Sequence, residues 1–341
     1  MRGKPSLIVL LLAIAALTAL FFVGRCCSGK GSSQRTIMMS HSFGQQHPIH
    51  KFLAGFAGQL KEDSKGRFTV EIYDSSQLGA EPQFAEQIRL GVLDGGIVSN
   101  QMLSKFAPEF LIFQYPYVWQ NEASARDFLN KTACRKLADI LKKADVELVL
   151  CTSLTNGMNG LYFSSDLERM SFNDPARRLY LAYSGAPLCV KYFTAIGLLP
   201  VPIAKGEVYS SLQMKMISAG ENTLPGVIGS KHFETAKLFV ATEHTPAVFY
   251  LVFNSDFMKS LSAGEKLILK NAWERAKKEF EKLASPDLVK LAERNGIKYQ
   301  ILSAEEAGYL KNIAEKELKK SARLPWQALY SKSEKTEAGV K

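Results

Sequence analysis

Residues 36–73 read TIMMSHSFGQQHPIHKFLAGFAGQLKEDSKGRFTVEIY, and two different periodicities alternate within them. Residues 36–40 suit a short strand. Over 49–60 the apolar side chains Phe52, Leu53, Phe56 and Leu60 recur with the spacing of one helix face. Lys65-Gly66 supplies a turn, and 68–73 alternates with period two, as a half-covered strand does. Strand, helix, strand in this order predicts an α/β unit around a parallel or mixed sheet. Outward from it, the same reading places a helix over 81–90, a buried strand over 96–99, a helix over 123–143 and a strand over 146–151. The arrangement then repeats with a strand over 179–182, a helix over 187–196, a Pro-rich crossing at 199–202, a helix over 208–213, the segment 216–220, and a strand over 247–254. Ser262-Ala263-Gly264-Glu265 reads as a capping box. Beyond it Leu269, Ala272, Trp273, Ala276, Phe280 and Leu283 keep helical spacing for about twenty residues. Ser303-Ala304-Glu305-Glu306 is a second box, opening a helix toward Lys320. Two α/β units joined by strands and a long helix suit a hinged binding protein, and they suit many enzymes as well.

The chain has 341 residues, 46% hydrophobic and 22% charged, which excludes disorder and collagen-like repeats and supplies one large or two medium cores. Its net charge of +10 is spread along the chain. Even the densest pairs, Lys277-Lys278 and Lys319-Lys320, are interrupted by Glu279, Glu281 and Glu317, as on solvated helix faces, so no nucleic-acid partner is expected. The N-terminus differs from the rest. Arg2 and Lys4 precede an uncharged apolar run from Leu7 to Val23, and a Gly/Ser tether follows, the pattern of an export signal. Val23-Gly24-Arg25-Cys26 resembles a bacterial lipobox, departing from it at Arg25, and places lipidation at Cys26. Cys27 is a second candidate, and an uncleaved anchor is the alternative to both. Cleavage before Cys26 removes three basic residues and no acidic one, so the mature chain carries +7 rather than +10. Cys151 and Cys189 lie in apolar surroundings and read as free thiols, with a Cys151–Cys189 disulfide as the alternative in an exported protein.

No GxSxG elbow, phosphate-binding loop, HExxH helix or GxGxxG fingerprint occurs. His47-Pro48-Ile49-His50 sets two histidines three apart, but Pro48 marks a helix start and no third ligand is evident, so surface histidines at a cap are expected rather than a metal. Glu221-Asn222, polar within an apolar Gly/Pro-rich stretch, reads as a loop facing a cleft.

Taken in order, several segments resemble the solute-binding proteins of tripartite ATP-independent periplasmic (TRAP) transporters, of the DctP type. They are SSQLG at 75–79, LGVLDG at 90–95, FAPEF at 106–110, YPYVW at 115–119, Ala195-Ile196-Gly197, Pro202, GEVYSSLQ at 206–213, Gly220-Glu221-Asn222 and KHFE at 231–234. The likeness runs from about Thr36 to about Leu324. It implies an α/β, two-domain, periplasmic-binding-protein-like (type II) fold with hinge strands and a long C-terminal helix spanning both domains. The division it implies is a lipoprotein-type signal peptide over 1–25, a tether over 26–35, domain I over 36–157 plus 247–286, and domain II over 158–246 plus 287–328, with a disordered tail over 331–341. It implies no catalysis and no cofactor. The partners implied are a small-molecule ligand, the TRAP membrane permease and, for some lipoprotein members, a periplasmic tetratricopeptide-repeat protein. The location implied is the bacterial periplasm, at a membrane through the lipid anchor.

Residue by residue, the chain departs from what the resemblance implies. The arginine that grips a carboxylate in most relatives falls at Ala182, and a second falls near Asn159. A polar hinge position reads Val248 and an acidic one Ser99, while the asparagine of the Gly-Glu-Asn turn persists as Asn222. With Tyr183, Glu221 and Tyr209 these make the candidate ligand-binding set: Asn222, Asn159, Ala182, Ser99, Val248, Tyr183, Glu221 and Tyr209. Loss of both arginines, with Tyr180 and Tyr183 adding aromatic surface, predicts a mostly apolar pocket for a neutral or partly hydrophobic ligand, because an anion would be desolvated without compensation. Three alternatives stand beside it: a carboxylate held by relocated basic residues, with Lys205, Arg177 and Arg178 available; a sensing or structural lipoprotein derived from the same fold; and, more distantly, a hydrolase or transferase.

Overall fold

Nine strands make one sheet in the computed structural model, which describes residues 34–143, 148–164, 167–172, 178–183, 185, 187–283 and 287–320. The expected signal segment with Cys26 and Cys27, most of the tether, Arg177 and the tail over 331–341 lie outside the described residues. The strands are β1 (Arg35–Ser40), β2 (Phe68–Tyr73), β3 (Gly95–Ser99), β4 (Leu148–Ser164), β5 (Leu179–Ala182), β6 (Leu198–Val201), β7 (Ala219–Asn222), β8 (Ala236–Asn254) and β9 (Lys298–Ile301). Their order is β2-β1-β3-β8-β4-β7-β5-β6, with β9 against β8. β1 and β3 are parallel, as are β5 with β6 and with β7, whereas β8 is antiparallel to both β3 and β4.

Two long strands carry the chain between the halves of this sheet. β8 pairs with β3 through Phe249–Phe253 and with β9 through Leu238–Ala241, and β4 runs beside it for most of its length. Along β8 the side chains alternate between faces with the strand period. Val248, Tyr250 and Val252 join a core with Phe84, Val98 and Leu150, while Phe249, Leu251 and Phe253 join another with Phe52, Phe56 and Trp273. The second half repeats this, with Leu238 and Val240 on one side and Phe239 on the other. Covered on both faces, β8 reads over Ala247–Phe253 as a continuous apolar run rather than an alternating one.

The sequence-based expectation for these two strands is too short. β4 spans 17 residues and β8 spans 19. Thr155-Asn156-Gly157-Met158-Asn159-Gly160 looks like a turn, yet the chain passes through it as strand. Gly157 takes φ +88° where the β4–β8 register shifts, and a Cβ on Gly160 would stand 2.5 Å from the Phe239 ring and 2.6 Å from the Val240 carbonyl. The glycines permit a bulge and a close strand approach. The 199–202 crossing is likewise mostly strand, as β6. The helix expected over 123–143 is present as Glu122–Phe128 and Cys134–Lys143 with one wide π turn between them.

The predicted long helix is Ala263–Leu283, opened by Ser262, whose N–H donates to the Glu265 carboxylate at 2.9 Å. It lies against helix Pro48–Asp63, with Phe280 edge-on to Phe52 at 6.0 Å and Arg275 paired with Asp63. The following segment supplies Ala292 and Ile297 to the core of the other half.

Candidate functional site

In a sheet of this kind ligands bind beyond the carboxyl ends of the strands, where no side chain of the next turn blocks the backbone. Three strands end at one cavity here: β3 at Ser99, β5 at Ala182 and β7 at Asn222, and Ser42-Phe43 follows the end of β1. The bulged region of the two long strands closes its floor with Asn159 from β4 and Thr245 to Phe249 from β8. The cavity encloses about 170 Å³.

Seven of the eight expected ligand residues line it: Asn222, Asn159, Ala182, Ser99, Val248, Tyr183 and Glu221. Tyr209 does not. It lies half-buried on helix Val208–Gln213, with its hydroxyl donating to Glu234 at 2.5 Å. Tyr180 also turns outward and is half exposed, because its neighbour Leu181 takes the core side of β5. Glu221-Asn222 ends a strand instead of forming a loop.

The wall is mixed, which corrects the expectation of a mostly apolar pocket. Phe43 and Phe249 meet edge to face at 5.0 Å, with Val248 beside them. Against these stand Ser42, Asn100, Gln101, Gln114, Asn159, Asn222, Ser230, His232 and Thr245. Glu221 Oε1 gathers three neighbours: it accepts from Asn159 Nδ2 at 3.2 Å and Thr245 Oγ1 at 3.2 Å, and it meets His244 Nε2 at 3.1 Å. His244 Nδ1 is 2.7 Å from Thr242 Oγ1. His232 shares a 2.8 Å hydrogen bond with Tyr162, and burial lowers its pKa to about 4. Ser42 Oγ is buried with no protein partner.

One cation faces the cavity among its described lining residues, and sequence reasoning had placed it only among alternatives. Lys205 Nζ is 3.2 Å from Glu81 Oε2, at the start of helix Glu81–Arg89, and lies over the rings of Phe43 at 5.7 Å and Phe249 at 5.5 Å. The other Glu81 oxygen accepts the Ser99 backbone N–H at 2.5 Å. Lys205 is thus bound to a carboxylate that is not itself part of the cavity lining. Arg178 lies elsewhere, at a cleft with Phe172 and Tyr309.

The histidines near 47 are architectural. His47 is buried, not at the surface; its Nδ1 caps helix Pro48–Asp63 by accepting the Ile49 N–H at 3.1 Å, and its ring stacks on Phe43 at 4.2 Å. His41 Nδ1 accepts the Phe43 N–H and its Nε2 meets His50 at 3.1 Å. No group of three or more potential metal ligands occurs among the described residues. Cys134, Cys151 and Cys189 are free thiols, and burial pushes the Cys189 thiol up to about 12.

Residues 39–323 match the family model described as bacterial extracellular solute-binding protein, family 7. A solute-binding protein of Chromohalobacter salexigens is 26% identical over 233 residues, 68% of each chain. The 2,3-diketo-L-gulonate-binding periplasmic protein YiaO of Escherichia coli is 24% identical over 279 residues, 80% of this chain and 82% of the relative. Among solved structures, the sugar acid binding protein DctPAm of Advenella mimigardefordensis in complex with galactonate superposes with a TM-score of 0.79 at 20% identity, covering 90% of this chain and 97% of that one. A TRAP periplasmic solute-binding protein of Shewanella oneidensis with bound succinate does so with a TM-score of 0.79 at 19% identity, covering 90% and 99%. At these identities the superpositions speak for the fold.

Proposed function

The chain belongs to the bacterial extracellular solute-binding proteins of family 7, and from that premise we propose that it is the extracytoplasmic receptor of a TRAP-type transporter, capturing a small non-anionic solute, neutral or partly apolar, for delivery to a membrane permease. The observation that carries the choice of solute is the charge of the cavity wall. Among its described lining residues the one lysine is already paired with Glu81, and Glu221 adds a carboxylate. An anion would enter against that charge and displace an existing ion pair. Phe43, Phe249 and Val248 supply apolar surface on one side, and hydrogen-bonding side chains supply orientation on the other. Capture is a population shift: 36–157 plus 247–286 moves as one domain and 158–246 plus 287–328 as the other, and the solute favours the form in which both touch it. Cys26 carries the lipid anchor, and intact mass of membrane-extracted protein checks this. A chain still beginning at Met1 would overturn it.

A second reading has a specific observation behind it. Lys205 reaches the cavity, and structurally similar receptors are described with succinate and galactonate bound. In it, a solute carboxylate takes Lys205 from Glu81. Native mass spectrometry of the purified receptor, followed by calorimetric titration with succinate, sugar acids and uncharged solutes, separates the two. The first reading expects a co-purifying non-anionic compound, compaction in small-angle scattering when it is added back, and no tight acid binding. Sub-micromolar acid binding that Lys205→Ala abolishes would establish the second reading instead.

A further inference from the structure

Glu221 ends β7 with its two carboxylate oxygens in unlike surroundings. Oε1 is saturated by Asn159, Thr245 and His244. Oε2 has no protein partner among the described residues, although Glu221 lines the cavity and its side chain is only 16% exposed. The three neighbours hold the carboxylate in one orientation, so it is set in place before a solute arrives.

The lysine and the histidines nearest to it are engaged away from Oε2. Lys205 is engaged by Glu81, and His232, lowered by burial, is neutral near pH 7. His244 spends both ring nitrogens elsewhere, Nε2 on Oε1 at 3.1 Å and Nδ1 on the Thr242 hydroxyl at 2.7 Å, so neither reaches Oε2. A solute that closes over Oε2 strips its water. A hydroxyl returns one neutral hydrogen bond, and an apolar group returns none, whereas a positively charged nitrogen returns both the hydrogen bond and the charge.

We propose that Glu221 is the specificity-determining residue of the cavity, and that its Oε2 binds a cationic N–H group of the solute, a primary ammonium or an amidinium. The apolar part of the solute lies on Phe43, Phe249 and Val248. This rests on the receptor reading above and narrows its non-anionic solute to one that is partly apolar with a positive polar end, in place of a neutral one.

Benzamidine, benzamide and benzoate share one shape and differ in charge at the polar end, so they probe the assignment directly. Calorimetric titration of the detergent-extracted protein at pH 7.5 is expected to show benzamidine binding at least about 10-fold tighter than benzoate, with benzamide between them. Glu221→Gln should shrink that ratio to within about threefold. The wild-type ratio needs no variant, so the test stands even if the Gln variant does not fold. Ala182→Trp, which fills the cavity from β5, is the site control and should abolish binding of all three. Benzoate binding as tightly as benzamidine, or a preference that persists in Glu221→Gln, overturns the proposal. Binding that Ala182→Trp abolishes but that shows no charge preference removes only the Glu221 assignment. Absence of binding by every probe, or binding that survives Ala182→Trp, takes the receptor reading down with it.

Discussion

The histidine cluster at the start of helix Pro48–Asp63 and the Glu221 cluster at the end of β7 are both largely buried polar clusters beside one cavity, but they dispose of their hydrogen bonds differently. His41 engages both ring nitrogens within the protein, and His47 turns Nδ1 onto the backbone of the helix it caps. Glu221 lines the cavity, concentrates three neighbours on one oxygen and has no protein partner on the other among the described residues. Buried polar groups are normally satisfied, so a closed cluster reads as architecture and an open one as a place for a ligand. The histidines should therefore govern stability, and the residues of the cavity wall should govern binding.

The largest effect separating the two regions is expected from pH. Within the first cluster burial holds the pKa of His41 at about 4 and of His47 at about 3. Unfolded, each titrates near 6.5, so the unfolded chain takes up protons first. Stability is complete above about pH 6.5 and drains away as the pH falls toward 4, by about 3 kcal/mol for His41 alone. Urea denaturation at pH 7.5, 6 and 5 reads this directly, and a midpoint that does not fall with pH would break the comparison. Gly160→Ala comes next. Its Cβ would press on the Val240 carbonyl and the Phe239 ring, and the strain should cost about 1–3 kcal/mol, seen as a lower thermal midpoint. His41→Leu strands the Phe43 N–H and is expected to cost about 1–3 kcal/mol while leaving the ratio of benzamidine to benzoate affinity unchanged. A shifted ratio would mean that the two clusters are coupled. Lys205→Ala removes a partly exposed ion pair and should change stability by less than about 1 kcal/mol in the same denaturation assay. The smallest effect belongs to Tyr209→Phe. It should leave both the melting temperature and solute binding unaltered, since Tyr209 lies outside the cavity.

Legibility in the sequence followed the range of the interactions. Helix Pro48–Asp63, helix Ala263–Leu283 with its capping box, and β5 over Leu179–Ala182 lie where the local pattern puts them, because caps and one-sided apolar spacing act over a few residues. β4 and β8 were half hidden. Their polar middles, with Gly157 and Gly160 in β4 and Pro246 in β8, look like breaks until the partner strand supplies the ladder. Glu221-Asn222 could be marked as polar in an apolar stretch, but nothing local distinguishes a loop from a strand end there.

The sequence by itself determined the α/β alternation, the helices with their caps, the absence of familiar catalytic motifs and, through the ordered series from Ser75 to Glu234, the family. Only the tertiary structure decided which polar residues share a cavity, that Lys205 meets Glu81 from 124 positions away, that His47 is buried, that Tyr209 is not at the site, and that one Glu221 oxygen has no partner among the described residues. The physical reason is that periodicity and capping are set between near neighbours in the chain, whereas solvation, charge pairing and leftover hydrogen-bonding capacity depend on which distant residues the sheet brings within about 3 Å of one another.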